Sequence, residues 1–331
     1  MKNFLNTNTI YVLSFAFFIW GIFGLLDLNN QVYDGFSTND FEVIRVEENG
    51  PAEKAGLQVG DILLSQEGIS IKDYKELDKL PRTQIGQTIP YGIERAGEEQ
   101  TVEITYAALP QKNKTNRYIQ FLIGILFIAL PSALTLKSKS DLKLSLGLSM
   151  TTFGFLFLNG PYIANGQLRD FIDVLSIAIF TFALTYLADY LLKYAPQSSV
   201  TKKSFYRLMF SPMVLIVAIV LVVTITKPDY SGTLNSIVQG IFAVFFLGFL
   251  AISILTLVRK FLRSDKNIRK QYGLDLMLLG VCFSLLPLFI LFTINTISPG
   301  AEIPGDDYVF LGFALIPITF SLALNRYESA S

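Results

Sequence analysis

The chain has 331 residues, 51% of them hydrophobic and only 16% charged, with zero formal net charge and a mean hydropathy of +0.46. Soluble globular chains run near about a quarter charged, so this composition predicts a membrane protein, and neutrality argues against a nucleic-acid partner. There is no histidine and a single cysteine, Cys282, which excludes an HExxH zinc site, a Ser-His-Asp triad, a Cys-His pair and an intrachain disulfide.

A helix needs about 20 apolar residues to cross the hydrocarbon core. The first such run is Thr9–Asp27. Its apolar stretch is longer than the core of a signal peptide, and bulky Leu25, Leu26 and Leu28 stand where small cleavage-site residues belong. It is expected to remain as an anchor, closing a first unit at residue 28.

The long polar insert, residues 29–117, carries 15 acidic and 10 basic residues. Strand-like content over Phe41–Val46 is followed by the turn Gly50-Pro51 and one helical turn at Ala52–Ala55. Gly56 and Gly60-Asp61 tolerate positive φ ahead of a strand at Ile62–Ser65. An amphipathic helix near Ile71–Leu80, a strand over Gln87–Arg95 and a closing strand over Thr101–Tyr106 complete a β-rich domain.

The run GPAEKAGLQVGDILLSQEG resembles the central signature of bacterial PDZ domains of the Deg/Ctp type, and IERAGEEQTVEI resembles their last hairpin. Such domains add an extended peptide as a strand beside a sheet edge. The resemblance implies a groove strand at Phe41–Val46, using Phe41, Val43 and Ile44, and a groove helix at Asp73–Leu80 with Tyr74 and Leu77 facing the ligand. The carboxylate-binding loop falls near Gly35-Phe36, where this sequence departs from the family pattern. A groove filled by its own chain is the competing reading.

Beyond the insert, residues 118–331 are expected to form a seven-helix bundle. Its spans are Tyr118–Leu136, Leu142–Asn159, Phe171–Lys193, Leu208–Thr226, Ile237–Val258, Leu274–Thr296 and Tyr308–Leu324. With the anchor this makes about eight transmembrane helices. Basic residues set orientation. They crowd alternate loops: Lys137, Lys139 and Lys143; then Lys193, Lys202, Lys203 and Arg207; then Arg259, Lys260, Arg263, Lys266, Arg269 and Lys270. Both termini are therefore expected in the cytoplasm and the insert outside. The fold class is a multi-pass α-helical membrane protein with one extracellular β-rich PDZ-like domain.

Asp173, Asp189 and Asp275 lie in or near spans, where acids are candidates for function. Gly273-Leu274-Asp275 lacks the adjacent glycine-aspartate pair of intramembrane aspartyl proteases, and Asp189 and Asp275 lie close to basic loops, so a structural role is expected. No P-loop is present. No catalytic residue, metal or cofactor is expected, and the chain is read as a non-enzyme.

The last span, Leu315 to Tyr327, with an internal Pro317 and a closing Arg326-Tyr327, is similar to the final span of multi-pass sensor kinases of the ComP, competence-pheromone type. One span, an external PDZ-like domain and seven closely spaced spans fit that plan, although the histidine that such kinases phosphorylate is absent. The resemblance implies a quorum-sensing receptor module that binds an extracellular peptide or pheromone and signals to a cytoplasmic kinase or response-regulator partner. A homodimer in the lipid bilayer is the expected setting. Tyr162, Arg169, Asp173, Tyr230, Glu302 and Asp306 are the outer-loop candidates for ligand contact. The alternative is a PDZ-bearing membrane scaffold that recruits a membrane protease or its substrate.

Overall fold

The computed structural model describes residues 7–77, 79–137, 140–194, 203–226, 233–298 and 306–330. Helix α1 (Thr7–Asp27) passes through a 3-10 turn at Leu28–Asn30 into β1 (Val32–Tyr33), β2 (Phe36–Asn39) and β3 (Glu42–Val46). Then follow α2 (Pro51–Lys54), β4 (Ile62–Gln66), β5 (Ile69–Ser70), α3 (Tyr74–Leu77), β6 (Thr88–Arg95), β7 (Glu98–Thr105) and β8 (Ala107–Ala108).

The main sheet is antiparallel with order β2-β3-β4-β6-β7, and β5 pairs onto β4. β1 and β8 form a separate two-stranded neck, with Val32 opposite Ala108 and Tyr33 opposite Ala107. The neck joins the two chain ends that connect the insert to the membrane helices. Alternation decides which side chains turn inward. In β6 these are Ile89, Tyr91 and Ile93, in β7 Val102 and Ile104, and they close on Val43, Ala52, Leu57 and Leu63. The strands expected at β3, β4, β6 and β7 are present. β1, β2, β5 and β8 were not anticipated, being too short for a period of two to register.

Among the described residues of this domain, Asp61 is the buried charge. The Asp61 carboxylate, 1% exposed, accepts from Arg95 Nε and Nη2, each at 2.7 Å, and from the Gln58 main-chain N–H at 2.8 Å. Hydrogen bonding from Arg95, above all, holds its pKa below the usual aspartate value. Stability from this depressed group is present above the unfolded pKa, near about 4, and is lost as pH falls through the folded value. Acid titration from pH about 5 to about 3 is therefore expected to lower the domain's melting temperature, and Asp61→Asn to flatten that slope while lowering the neutral-pH value.

The membrane part comprises α4 (Gln111–Lys137), α5 (Asp141–Phe157), α6 (Gly166–Lys193), α7 (Lys203–Thr226), α8 (Thr233–Arg263), α9 (Lys266–Gln271), α10 (Leu274–Ile297), a 3-10 segment (Asp306–Ala314) and α11 (Leu315–Ala330). Among the described residues, six segments are long and apolar enough to cross a membrane: Thr7–Asn30, Gln111–Thr135, Phe171–Lys193, Ala243–Arg263, Leu274–Leu291 and Tyr308–Ser329. Two of the eight expected spans are not among these. α5, with 17 residues, is an apolar helix that also buries Lys143, Ser145, Ser149, Thr151 and Thr152. The other, α7, is a helix of 24 residues, of which the apolar piece Phe210–Ile219 is counted among the described residues.

A core of Phe127, Met150, Tyr190, Tyr194, Leu274 and Phe320 binds α4, α5, α6, α10 and α11 together. The Ser145 hydroxyl donates to Asp189 Oδ2 at 2.6 Å, and Lys193 Nζ reaches that hydroxyl at 3.1 Å and pairs with the same carboxylate. Ser145 and Asp189 are each 2% exposed, and the trio ties α5 to α6.

Candidate functional site

The β2–β3 hairpin turns through Asp40 and Phe41, with φ of 45° and 70°. Two successive left-handed residues make the tight turn whose twist suits a two-residue hairpin. The backbone of Phe41 is therefore spent on the turn, and its side chain packs on the domain core. β3 lies between β2 and β4, with Val43 0% exposed and Ile44 half-buried. An interior strand has no unpaired edge. The groove strand expected at Phe41–Val46 is corrected accordingly: the available edge is β2, whose Ser37, Thr38 and Asn39 are exposed.

Gly35 precedes that edge with φ of +80°, and a Cβ there would stand 3.0 Å from Pro51 Cδ. Its carbonyl accepts from the Glu47 N–H at 2.8 Å, which pins the start of β2. Phe36 sits edge-on to Tyr91 with ring centroids 5.9 Å apart. Burial raises the pKa of neighbouring Asp34, opposed by the main-chain N–H groups of Phe36, Asp34 and Gly35. A carboxylate of the chain itself thus occupies the loop where the family would receive a ligand's terminal carboxylate.

Tyr74 and Leu77 fall on α3 as expected, which is four residues long. Leu77 lines a cavity of about 560 Å³ between the β-domain and the membrane bundle. Asp27, at the end of α1, anchors this junction. Its carboxylate accepts from Arg82 at 2.7 and 3.0 Å, from the Tyr162 N–H at 3.0 Å and from Asn30 at 3.3 Å. The Arg82 guanidinium also lies 4.6 Å above the Tyr162 ring. Arg117 on α4 donates to Asn159 Oδ1, and Asn159 Nδ2 donates to Gln120 at 3.0 Å. Arg169 on α6 completes the wall.

Of the outer-loop candidates, Tyr162 and Arg169 meet at this cavity. Asp173 is exposed on α6 and is not part of its lining. Asp306 opens the 3-10 segment, and Tyr230 and Glu302 lie outside the described residues. Asp27, Arg82 and Arg117 were not foreseen. They stand far apart in sequence and belong to no motif, and the one local signal was an acid closing an apolar helix.

Residues 29–106 match the family model of the PDZ domain. The chain is similar to the protein named as protease Eep of Enterococcus faecalis, 28% identical over 173 residues, covering 49% of this chain and 38% of that one. The zinc metalloprotease RasP of Shouchella clausii is 35% identical over 81 residues, covering 24% and 19%. A DegP-like periplasmic serine endoprotease of Marinomonas sp. is 30% identical over 122 residues, covering 35% and 26%. The chain therefore spans between 19% and 38% of these relatives' own length.

A PDZ domain in a membrane chain is thus shared with relatives that are named as proteases. This overturns the expectation of a quorum-sensing receptor, of pheromone and kinase partners, and of a non-enzyme. The likeness of the last span to sensor kinases rested on a proline and an Arg-Tyr pair, residues that many terminal membrane helices can carry for packing and interfacial reasons alone.

Proposed function

We propose that the chain works within a membrane peptidase system, as a PDZ-bearing scaffold that brings a membrane protease and its polypeptide substrate together. The observation that carries this reading is the unpaired, exposed edge of β2 on a domain held against a membrane bundle. Main-chain groups on such an edge pair with any extended segment, and neighbouring side chains select among sequences. The protease names of the relatives support the same setting. With no histidine among these 331 residues, any histidine-ligated zinc would have to be held by residues outside this sequence.

The proposed topology places the PDZ domain outside and both termini in the cytoplasm, supported by the lysines and arginines crowding alternate loops. It divides the chain into an anchor, 1–28, a PDZ unit, 29–117, and a bundle, 118–331.

A photoreactive residue in place of Ser37 in the full chain, in native membranes, tests the docking edge. Crosslinks to a polypeptide whose cleavage depends on this chain are expected. The double variant Ser37→Lys, Thr38→Lys blunts the edge and is expected to slow that cleavage about tenfold. Unchanged cleavage in the variant would overturn the reading.

A further inference from the structure

The PDZ domain and the bundle have separate apolar cores. The cluster of the domain draws only on residues between Val32 and Tyr106, and the four remaining clusters use none of them. Between the two lies the cavity of about 560 Å³, with Asp27, Arg82 and Arg117 in its walls. A space of that size between polar walls takes water, so parting the walls breaks no packed contact there. Domains joined without a large apolar interface move relative to one another unless something fixes them.

Arg82 supplies such a fixing point. It follows α3 in the domain, and its Nη1 and Nη2 donate to Asp27 Oδ1 and Oδ2 at 2.7 and 3.0 Å. The same guanidinium covers the Tyr162 ring at 4.6 Å, and the Tyr162 N–H donates to Asp27 at 3.0 Å. One side chain of the domain thus engages both the end of α1 and the loop between α5 and α6. A planar fork can bond a carboxylate twice and stack on a ring at once, which a lysine cannot. The pair is only partly shielded, with 27% of the Arg82 side chain and 14% of the Asp27 side chain exposed. Dissolved salt therefore reaches it, and the contact can open. The chain enters and leaves the domain through the β1–β8 neck, where the Leu109 N–H also donates to the Gln31 carbonyl at 3.3 Å. A ladder so short keeps the two chain ends together and leaves the domain able to pivot.

We propose that Arg82 is a latch. Closed on Asp27 and Tyr162, it holds the PDZ domain docked on the bundle; opened, it lets the domain swing about the β1–β8 neck. Leu77 of α3 lines the same cavity, so opening also turns that wall of the domain to solvent. The latch stands whether or not a polypeptide docks on the edge of β2.

Spin-label distances in the full chain, reconstituted in lipid nanodiscs, test it. The labels replace Glu99, exposed on β7 at the end away from the neck, and Leu122, exposed on α4. A Cys282→Ser background removes the one native cysteine. A single narrow distance is expected for the parent at low salt. Arg82→Gln is expected to lower the ratio of docked to swung domain about tenfold. Asp27→Asn is expected to do the same, and the double variant to go no further than either, because both act through one contact. Raising salt from about 0.05 to about 0.5 M is expected to add a second distance in the parent and to leave Arg82→Gln as it was. The salt series needs no substitution at the latch, so the test stands even where a variant fails to fold. A distribution that neither Arg82→Gln nor salt alters would overturn the proposal. So would additive shifts in the double variant, or a parent already broad at low salt.

Discussion

Val43→Asp is expected to unfold the PDZ domain outright. Val43 is 0% exposed on β3, inside the cluster that includes Leu57, Ile89, Ile93 and Ile104. The strand is paired on both sides, so the side chain cannot swing to solvent without breaking the sheet. The Asp61–Arg95 pair shows what this domain supplies to hold one buried carboxylate: two guanidinium bonds and a main-chain N–H. No such partner stands among the apolar residues around Val43. Burying an unpaired charge costs several kcal/mol, against a stability of about 5–15 kcal/mol for an ordinary domain. Limited proteolysis of the full chain in detergent is expected to digest residues 29–106 in this variant and spare them in Ser37→Asp, whose side chain is exposed on β2. A protease-resistant Val43→Asp domain would contradict the sheet order.

Gly24→Val should be the most damaging single change in the membrane part. A Cβ at Gly24 would stand 1.7 Å from the Asn159 carbonyl oxygen and 2.7 Å from its carbonyl carbon. Both are backbone atoms, so no rotamer change relieves the overlap. Asn159 cannot yield easily either, being held by Arg117 and Gln120, and a Cβ on the next residue, Gly160, would meet the Trp20 ring at 1.9 Å. Valine must push α1 away from this loop and so breaks the hydrogen bond from Tyr162 to Asp27. Overpacking on this scale costs about 3 kcal/mol or more. The melting temperature in detergent is expected to fall by several degrees. Gly240→Ala, where a Cβ meets nothing within 4 Å, is the control expected to melt like the parent chain. Equal melting of both variants would show that α1 does not pass this close to Asn159.

The two variants bear on different kinds of information. β3, β4, β6 and β7 were legible because alternation over five to eight residues marks an inward face. β2 was not, because Phe36-Ser37-Thr38-Asn39 has one apolar residue and reads as a turn. Missing it moved the presumed docking edge onto β3. α5 reads as an apolar run with scattered hydroxyls, and only its neighbours decide that Ser145 and Asp189 face each other. The functional expectation failed for a related reason. A PDZ domain beside membrane helices is common to more than one class of protein, and the choice between classes rested on the order of spans and a short terminal helix, both with little chemical content.

Composition and hydropathy, read from the sequence by itself, determined that the chain belongs in a membrane and carries a β-rich insert. The absence of histidine likewise determined which chemistry its own residues cannot perform. These are sums and local periodicities, and no contact is needed to read them. The tertiary structure alone decided which strand is left at the edge of the sheet. A period of two is the same for an interior and an edge strand, and only pairing between distant segments separates them. It alone also gathered Asp27, Arg82, Arg117 and Arg169 around one cavity. Those residues come from four separate parts of the chain, and docking of the domain onto the bundle is what turns them into a single charged site.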